Sequence, residues 1–273
     1  MKNRNRPTYG LYFLTIHIVS LLFILCIGIF LVVLGISYIK SLFTIVGIII
    51  IIYGLFSTGL AFVARYILPG RPEKIAADLI KALELRGDEV ILDVGTGRGL
   101  YAIEAAKKLS RGKVIGIDIW DTKNVPQYLY HHKLSQPSGN TLENVKRNVE
   151  IAGVRKKVEF INMDAHALQF RDGYFDVIIC AYVISHLGRY RDSVLKEIRR
   201  TLKAGGRLVV VDNIRDLTYV LLSTPHMFLW SYLRGKKAKY LTKEFWREII
   251  SECSFTLQSY ARRPGIVKLV ANK

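Results

Sequence analysis

The sequence predicts an α/β fold, a doubly wound and mostly parallel sheet with helices on both faces, preceded by two transmembrane helices. Three observations lead to this fold class. A short apolar run leads directly into a glycine-rich turn and a helix-forming segment at residues 89–109. Further short apolar runs alternate with amphipathic segments, which is typical of parallel βαβ units. The first 64 residues contain no Asp or Glu, so the charge of the chain is concentrated in the remainder.

Two long apolar runs, residues 11–39 and 42–64, fill the N-terminal quarter of the chain. At about 1.5 Å per residue, each helix would exceed the roughly 30 Å hydrocarbon core of a bilayer. Runs of this length with no polar face for water disfavour the alternative of two buried core helices. A cleaved signal peptide fits poorly, because the first run is too long and no small-residue cleavage site follows it. We expect a transmembrane hairpin over residues 1–68, with spans at about 11–39 and 42–64, and a second domain over residues 69–273.

Basic residues flank the two expected spans on one side. Lys2, Arg4 and Arg6 precede the first span, and Arg65, Arg71 and Lys74 follow the second. Lys40 is the only charged residue between the two spans. The positive-inside rule then predicts a multi-pass protein of the cell membrane with its second domain on the cytoplasmic side. The formal net charge of +18 suits anionic lipid headgroups as a partner, whereas no module for base or RNA recognition is present, so nucleic acid is not expected.

The second domain is organised around residues 89–99, Glu-Val-Ile-Leu-Asp-Val-Gly-Thr-Gly-Arg-Gly. The apolar part suits a buried parallel strand, and the three glycines allow a sharp turn and a close approach of a ligand to the backbone. A dinucleotide fingerprint G-x-G-x-x-G would place its third glycine at position 100, where the chain has Leu100. The stretch therefore predicts a nucleotide-binding strand, loop and helix, and disfavours NAD.

Later segments continue the same pattern. Residues 113–118 read as a second strand, and its final Asp118 lies 19 positions past Gly99, where nucleotide folds place a carboxylate on the ribose. An exposed turn residue is the alternative for Asp118. A helix is expected to open at residues 71–73 and to continue to about residue 83, and further helices are expected at 141–152 and 242–253. A third strand is expected at 157–165, a fourth after a turn within 172–180, and a fifth after a glycine turn within 202–211. Residues 256–261 and 266–271 predict a terminal antiparallel hairpin.

Four of these stretches, in this order, resemble the class I S-adenosylmethionine-dependent methyltransferases, most of all the quinone-biosynthesis and small-molecule type. The matching stretches are D-x-G-x-G-x-G at 93–99, the acid at 118, D-G-Y-F-D at 172–176 and L-K-A-G-G-R-L at 202–208, where Ala204 replaces the usual proline. Over about residues 73–273 the resemblance implies a Rossmann-like seven-stranded methyltransferase sheet. It also implies S-adenosylmethionine as methyl donor, leaving as S-adenosylhomocysteine. The implied cofactor contacts are Asp93, Gly95, Thr96, Gly97, Gly99, Asp118, Ile119, Asp164 beside the adenine amino group, Ala165 and Ala181.

Methyl transfer from a sulfonium is an in-line displacement that depends mainly on alignment and exclusion of water. If a general base is used, His186 is the candidate, because it follows the fourth strand at the ligand-binding edge; a structural histidine at a helix start is the alternative. Acceptor contacts are expected from Tyr182, Tyr219, His226 and Trp230. The last three lie in residues 217–240, which we expect to rest at the membrane interface and admit the acceptor.

No metal site is expected, because the adjacent His131 and His132 have no third ligand at a recognisable spacing. The three cysteines, Cys26, Cys180 and Cys253, are expected to be core thiols. Together these observations predict a membrane-anchored methyltransferase for a lipid-like or hydrophobic small-molecule acceptor. Two alternatives remain open: a methyltransferase for soluble small molecules or thiols whose hairpin is a mere anchor, and a non-catalytic, nucleotide-sensing membrane scaffold.

Overall fold

The structure, a computed structural model, describes residues 12–37, 42–62, 72–120, 140–214, 242–263 and 266–273. Two compact units account for them. One contains the two apolar N-terminal helices, and the other contains a seven-stranded sheet with its flanking helices.

The two apolar runs are helical, with α1 at Tyr12–Ser37 and α2 at Leu42–Phe62. The helices pack closely where glycines face the opposite helix. A Cβ placed at Gly28 would lie 2.5 Å from Cγ1 of Ile51, and one at Gly47 would lie 2.7 Å from the carbonyl oxygen of Gly28. Large apolar side chains elsewhere on the two helices are exposed, among them Phe23 at 64% and Phe56 at 67%.

The side chains that the structure describes cover residues 21–34 of α1 and residues 44–56 and 59 of α2. Within the described part of the chain, no helix is found that has both the length and the apolar character needed to cross a membrane. Of the predicted transmembrane hairpin, the structure therefore supports the two helices and not the spans. The expectation that Cys26 is a core thiol is wrong, because it lies on the apolar surface of α1 and is exposed.

The seven strands of the second unit follow the order β3-β2-β1-β4-β5-β7-β6. Their bounds are β1 Val90–Val94, β2 Lys113–Asp118, β3 Val158–Asn162, β4 Phe175–Ala181, β5 Leu202–Asn213, β6 Thr256–Arg263 and β7 Ile266–Asn272. Strands β1 to β5 are parallel, whereas β7 runs antiparallel to β5 and β6 antiparallel to β7. The predicted parallel sheet with a terminal antiparallel hairpin is confirmed.

Both faces of the sheet are covered. On β1, Ile91 and its neighbour Leu92 point to opposite faces, and both are fully buried, as are Ile178 and Ile179 on β4. The helices of this unit are α3 Pro72–Ala82, α4 Leu100–Lys108, α5 Leu142–Ile151, α6 Arg191–Thr201 and α7 Lys243–Glu252. Such double burial explains why these strands are continuous apolar runs rather than alternating ones.

The glycine turn expected before the fifth strand lies inside β5. Phe175 pairs with Leu202 and Val177 pairs with Arg207, so β5 has extra residues in this interval that bulge out of the ladder. Gly205 has φ of 71°, a left-handed conformation that suits glycine within such a bulge. The strand therefore starts at Leu202, before the glycines rather than after them.

Candidate active site

The predicted functional residues that the structure describes lie at one edge of the sheet. Because β1, β2, β4 and β5 are parallel, their carboxyl ends lie together, and this is the edge at which doubly wound sheets bind ligands. The glycine loop follows β1, Asp118 ends β2, Tyr182 follows β4 and Asp212 lies near the end of β5.

The glycine loop at residues 95–99 has a backbone that favours glycine at three positions. Gly95, Gly97 and Gly99 have φ of 65°, 56° and 83°. A Cβ built at Gly97 would meet no atom closer than 3.8 Å, and its nearest neighbours are oxygens of Asn140, Gly95 and Asp118. The surface above Gly97 therefore has room for a ligand, and the neighbouring atoms are hydrogen-bond acceptors.

Asp93 lies beneath this loop with only 2% of its surface exposed. Its Oδ2 accepts hydrogen bonds from Oγ1 of Thr96 at 2.6 Å and from the backbone N–H of Ala102 at 3.1 Å. Burial raises the pKa of the Asp93 carboxyl from 3.8 to about 7. Thr96 is also buried, at 7% exposure. Through these hydrogen bonds the two side chains join the loop to α4 from below, and their predicted contact with the cofactor stays a prediction.

Asp118 lies beside the loop and holds it. Its Oδ2 accepts a hydrogen bond from the backbone N–H of Gly97 at 2.7 Å, and its Oδ1 accepts one from the N–H of Ile119 at 2.7 Å. A carboxylate has about four acceptor positions, so it can hold two backbone donors and accept ribose hydroxyls together. The predicted ribose role of Asp118 fits this geometry and stays a prediction.

Asp164 follows β3, where the resemblance implies the adenine end of the cofactor. Its Oδ1 accepts hydrogen bonds from the backbone N–H of His166 at 2.9 Å and pairs with Nδ1 of that ring at 2.8 Å. The ring packs edge-on against Tyr190, with centroids 5.3 Å apart. Sequence reasoning did not identify His166, although a histidine two residues after a predicted ligand was visible in the sequence. Ala165, between the two, is half-buried.

The segment after β4 contains Tyr182, which the sequence predicts to contact the acceptor. Ala181 ends the strand and Tyr182 follows with φ of 58°, a left-handed conformation that is uncommon and strained for a residue with a side chain. The N–H of Tyr182 donates to the carbonyl oxygen of Val211 at 2.7 Å, which fixes this segment to β5.

Asp212 supports the same segment from β5. It has no exposed surface, and its Oδ2 accepts a hydrogen bond from the N–H of Ser185 at 2.9 Å. Ser185 lies in a short 3₁₀ turn, Ile184–His186, and the side chain of His186 is exposed. Sequence reasoning missed Asp212, whose only signal was an acid at the end of a strand. Tyr219, His226 and Trp230 lie outside the described residues, so the predicted acceptor segment 217–240 stays a prediction.

Cys180 lies on β4 between these two buried carboxylates, and as expected it is a core thiol. It has no exposed surface, and burial, reinforced by the charges of Asp93 and Asp212, raises the pKa of its thiol well above the ordinary value. The thiol therefore stays protonated at neutral pH and is not a nucleophile for transfer. The hydroxyl of Tyr101 on α4 is likewise held neutral, since burial raises its pKa.

The arrangement suits an adenosine-containing sulfonium. A carboxylate at the end of β2 can accept ribose hydroxyls, an open glycine loop admits close approach to its backbone, and Asp164 can accept from an amino group. These groups are suited to bind and orient such a ligand. Transfer from an activated donor depends mainly on this alignment and needs no strong nucleophile at the loop.

Comparison with known proteins agrees with this geometry. A family model described as a methyltransferase domain matches residues 92–210. A demethylmenaquinone methyltransferase of Lactococcus lactis is 33% identical over 190 residues, which cover 67% of this chain and 68% of the relative. One of Bacteroides fragilis is 30% identical over 138 residues, 50% of this chain and 45% of the relative. The fold of a SAM-dependent methyltransferase from Aquifex aeolicus has a TM-score of 0.53 at 17% identity and covers 79% of this chain and 97% of that chain.

Proposed function

We propose that this enzyme, which belongs to the S-adenosylmethionine-dependent methyltransferases, transfers a methyl group to a lipid-like or hydrophobic small molecule at a membrane surface. Family membership and the methyl donor follow from the matched domain and from the relatives. The acceptor class and the membrane attachment are the proposal. A non-catalytic scaffold no longer competes with it.

The observation that carries the acceptor class is the exposed apolar surface of α1 and α2. Phe23, Phe30, Ile52 and Phe56 are each more than 60% exposed, and large exposed apolar surfaces mark contact with lipid or with a partner. An enzyme attached to lipid through such a surface has ready access to acceptors dissolved in that lipid. The names of the Lactococcus and Bacteroides relatives also give a quinone, demethylmenaquinone, as their acceptor.

Different residues at the sheet edge would bind the cofactor and orient the acceptor. When bound, S-adenosylmethionine supplies a methyl group on a positively charged sulfur, already activated for displacement. Asp118 would hold the ribose, and the loop at Gly95 and Gly97 would lie against the methionine end. The segment around Tyr182 would orient the acceptor, with His186 as the candidate base if the nucleophile carries a proton.

The test is to incubate the detergent-solubilised full chain with methyl-labelled S-adenosylmethionine and separate fractions of a native extract. We expect label in the organic phase when the lipid fraction is supplied, and demethylmenaquinone is the first defined acceptor to try. The Asp118→Ala variant should lose this signal. Asp88→Ala should keep it, because Asp88 is exposed and precedes β1, whereas the glycine loop follows the other end of that strand. Label that enters only water-soluble compounds such as thiols would instead support the alternative of a soluble acceptor.

Membrane topology is tested separately. The basic residues before α1 and after α2 suggest that both ends of the hairpin face the cytoplasm, where the methyl donor is made. In a Cys26→Ser background, which removes the exposed native thiol, Lys40→Cys should react with an impermeant reagent added outside intact cells. Arg71→Cys should not react. Labelling at position 71 from outside would contradict the proposed orientation.

A further inference from the structure

We propose that Trp120 is a positioning residue that holds the glycine loop in its cofactor-binding conformation. The sequence analysis predicted no role for Trp120. The proposal depends on the cofactor and not on the acceptor, so it stands or falls independently of the proposed lipid acceptor.

The peptide groups of Gly97 are held on two sides by residues that follow the same strand. The N–H of Gly97 donates to Oδ2 of Asp118 at 2.7 Å. Its carbonyl oxygen accepts a hydrogen bond from Nε1 of the Trp120 indole at 3.4 Å. Because both anchors come from the end of β2, the loop after β1 is fixed to its neighbouring strand on either side of a residue that has no side chain of its own.

Trp120 is itself anchored to β3. Its backbone N–H donates to Oδ1 of Asn162 at 2.9 Å. Its ring packs edge-on against Phe160, with centroids 6.0 Å apart and planes at 89°. An indole held by its own backbone and by a neighbouring ring can direct its N–H without a large loss of side-chain entropy.

Phe160 connects this pair to the underside of the loop. A Cβ at Gly116 on β2 would lie 2.8 Å from two carbons of the Phe160 ring and 3.0 Å from Cγ2 of Thr96. A Cβ at Gly99 would lie 3.6 Å from the tip of the same ring. The Phe160 ring therefore occupies the space between β2 and the loop. Together, Phe160 supports the loop from beneath and Trp120 contacts it from one side.

The consequence for binding follows from the freedom of glycine. Gly97 has φ of 56°, and without restraint a glycine visits several backbone conformations. If only a fraction of molecules has the binding conformation, the apparent affinity falls by that fraction. Removing one neutral hydrogen bond from the loop should raise the Kd for the cofactor by about 2- to 10-fold. The turnover at saturating cofactor should be unchanged, because the bound loop is the same.

The experiment compares Trp120→Phe with Trp246→Phe in the full chain, using calorimetry with S-adenosylhomocysteine as the probe. Trp120→Phe keeps a ring on Phe160 and removes the N–H donor. Trp246 is fully buried on α7 and packs against Phe245, so its replacement perturbs a core aromatic away from the loop. We expect a raised Kd for Trp120→Phe alone, and a raised KM for S-adenosylmethionine with unchanged kcat. An unchanged Kd, or an equal loss in Trp246→Phe, would overturn the proposal.

A second variant covers the case in which Trp120→Phe folds poorly. Asn162→Ala removes the acceptor of the Trp120 backbone N–H at an exposed position and should raise the Kd in the same direction. In a double-mutant cycle, the Asn162→Ala effect should largely disappear once Trp120 is Phe, because both act through the indole. Fully additive effects would show that Asn162 acts by another route and would refute the chain of contacts.

Discussion

The buried carboxyl of Asp93 should make the stability of this protein fall as pH rises, which is opposite to the effect of a carboxylate whose pKa is lowered by an ion pair. Asp93 has 2% of its surface exposed and a pKa raised from 3.8 to about 7, with burial as the main cause. The perturbation is Asp93→Asn. The amide oxygen can still accept from Thr96 and Ala102, the two donors that bind Oδ2 now, while the ionisation is removed.

The sign follows from proton binding. Between about pH 4 and pH 7, the unfolded chain has released the Asp93 proton whereas the folded protein keeps it, so stability falls as pH rises. Below this window the carboxyl is protonated in both the folded and the unfolded state. Above it the carboxyl is ionised in both states, and the folded protein is destabilised by the full free-energy cost of burying the charge. A shift of about 3 units at about 1.4 kcal/mol each makes that cost on the order of 4 kcal/mol. Asp93→Asn removes this dependence, and any cost of burying the amide N–H does not vary with pH.

The assay is urea unfolding of the detergent-solubilised full chain, monitored by circular dichroism, at a series of pH values from 4.5 to 8. We expect the free energy of unfolding of Asp93→Asn, relative to the unsubstituted protein, to rise by several kcal/mol across this range. Asp88→Asn is the control, because the Asp88 side chain is 50% exposed. A difference between Asp93→Asn and the unsubstituted protein that stays constant with pH would refute the reasoning.

Two further predictions concern the loop and the acceptor side. Asp118→Ala should weaken S-adenosylhomocysteine binding by about 1.5–3 kcal/mol, because charge-assisted hydrogen bonds to ribose and to Gly97 are lost. Calorimetry measures this affinity, and an unchanged Kd would rule out the ribose role of Asp118. Asp212→Leu should slow methyl transfer several-fold with unchanged cofactor affinity, since the N–H of Ser185 loses its acceptor, whereas Asp212→Asn retains one. Equal rates in the two Asp212 variants would contradict a positioning role.

Local patterns in the sequence were sufficient for most elements of the second unit. The apolar runs ending at Asp93 and Asp118 marked two parallel strands, and the amphipathic segments at 141–152 and 242–253 became helices capped by Thr141 and Thr242. These features depend on side-chain periodicity and on short-range capping, which are properties of neighbouring residues. The start of β5 was less accurate, because a bulge that keeps Leu202 in the ladder depends on the partner strand β4.

By itself, the sequence determined the type and order of the strands and helices, the nucleotide-binding loop and the family, because glycines and acids at fixed spacings specify backbone turns and strand ends. The tertiary structure alone decided what each polar side chain at the sheet edge does. The Asp93 side chain is buried. Asp212 accepts a hydrogen bond from Ser185, 27 positions earlier in the chain, and the indole of Trp120 donates one to Gly97, 23 positions earlier. Such contacts exist only once parallel strands bring their carboxyl ends together, and no local pattern in the chain encodes which of the side chains gathered there will meet.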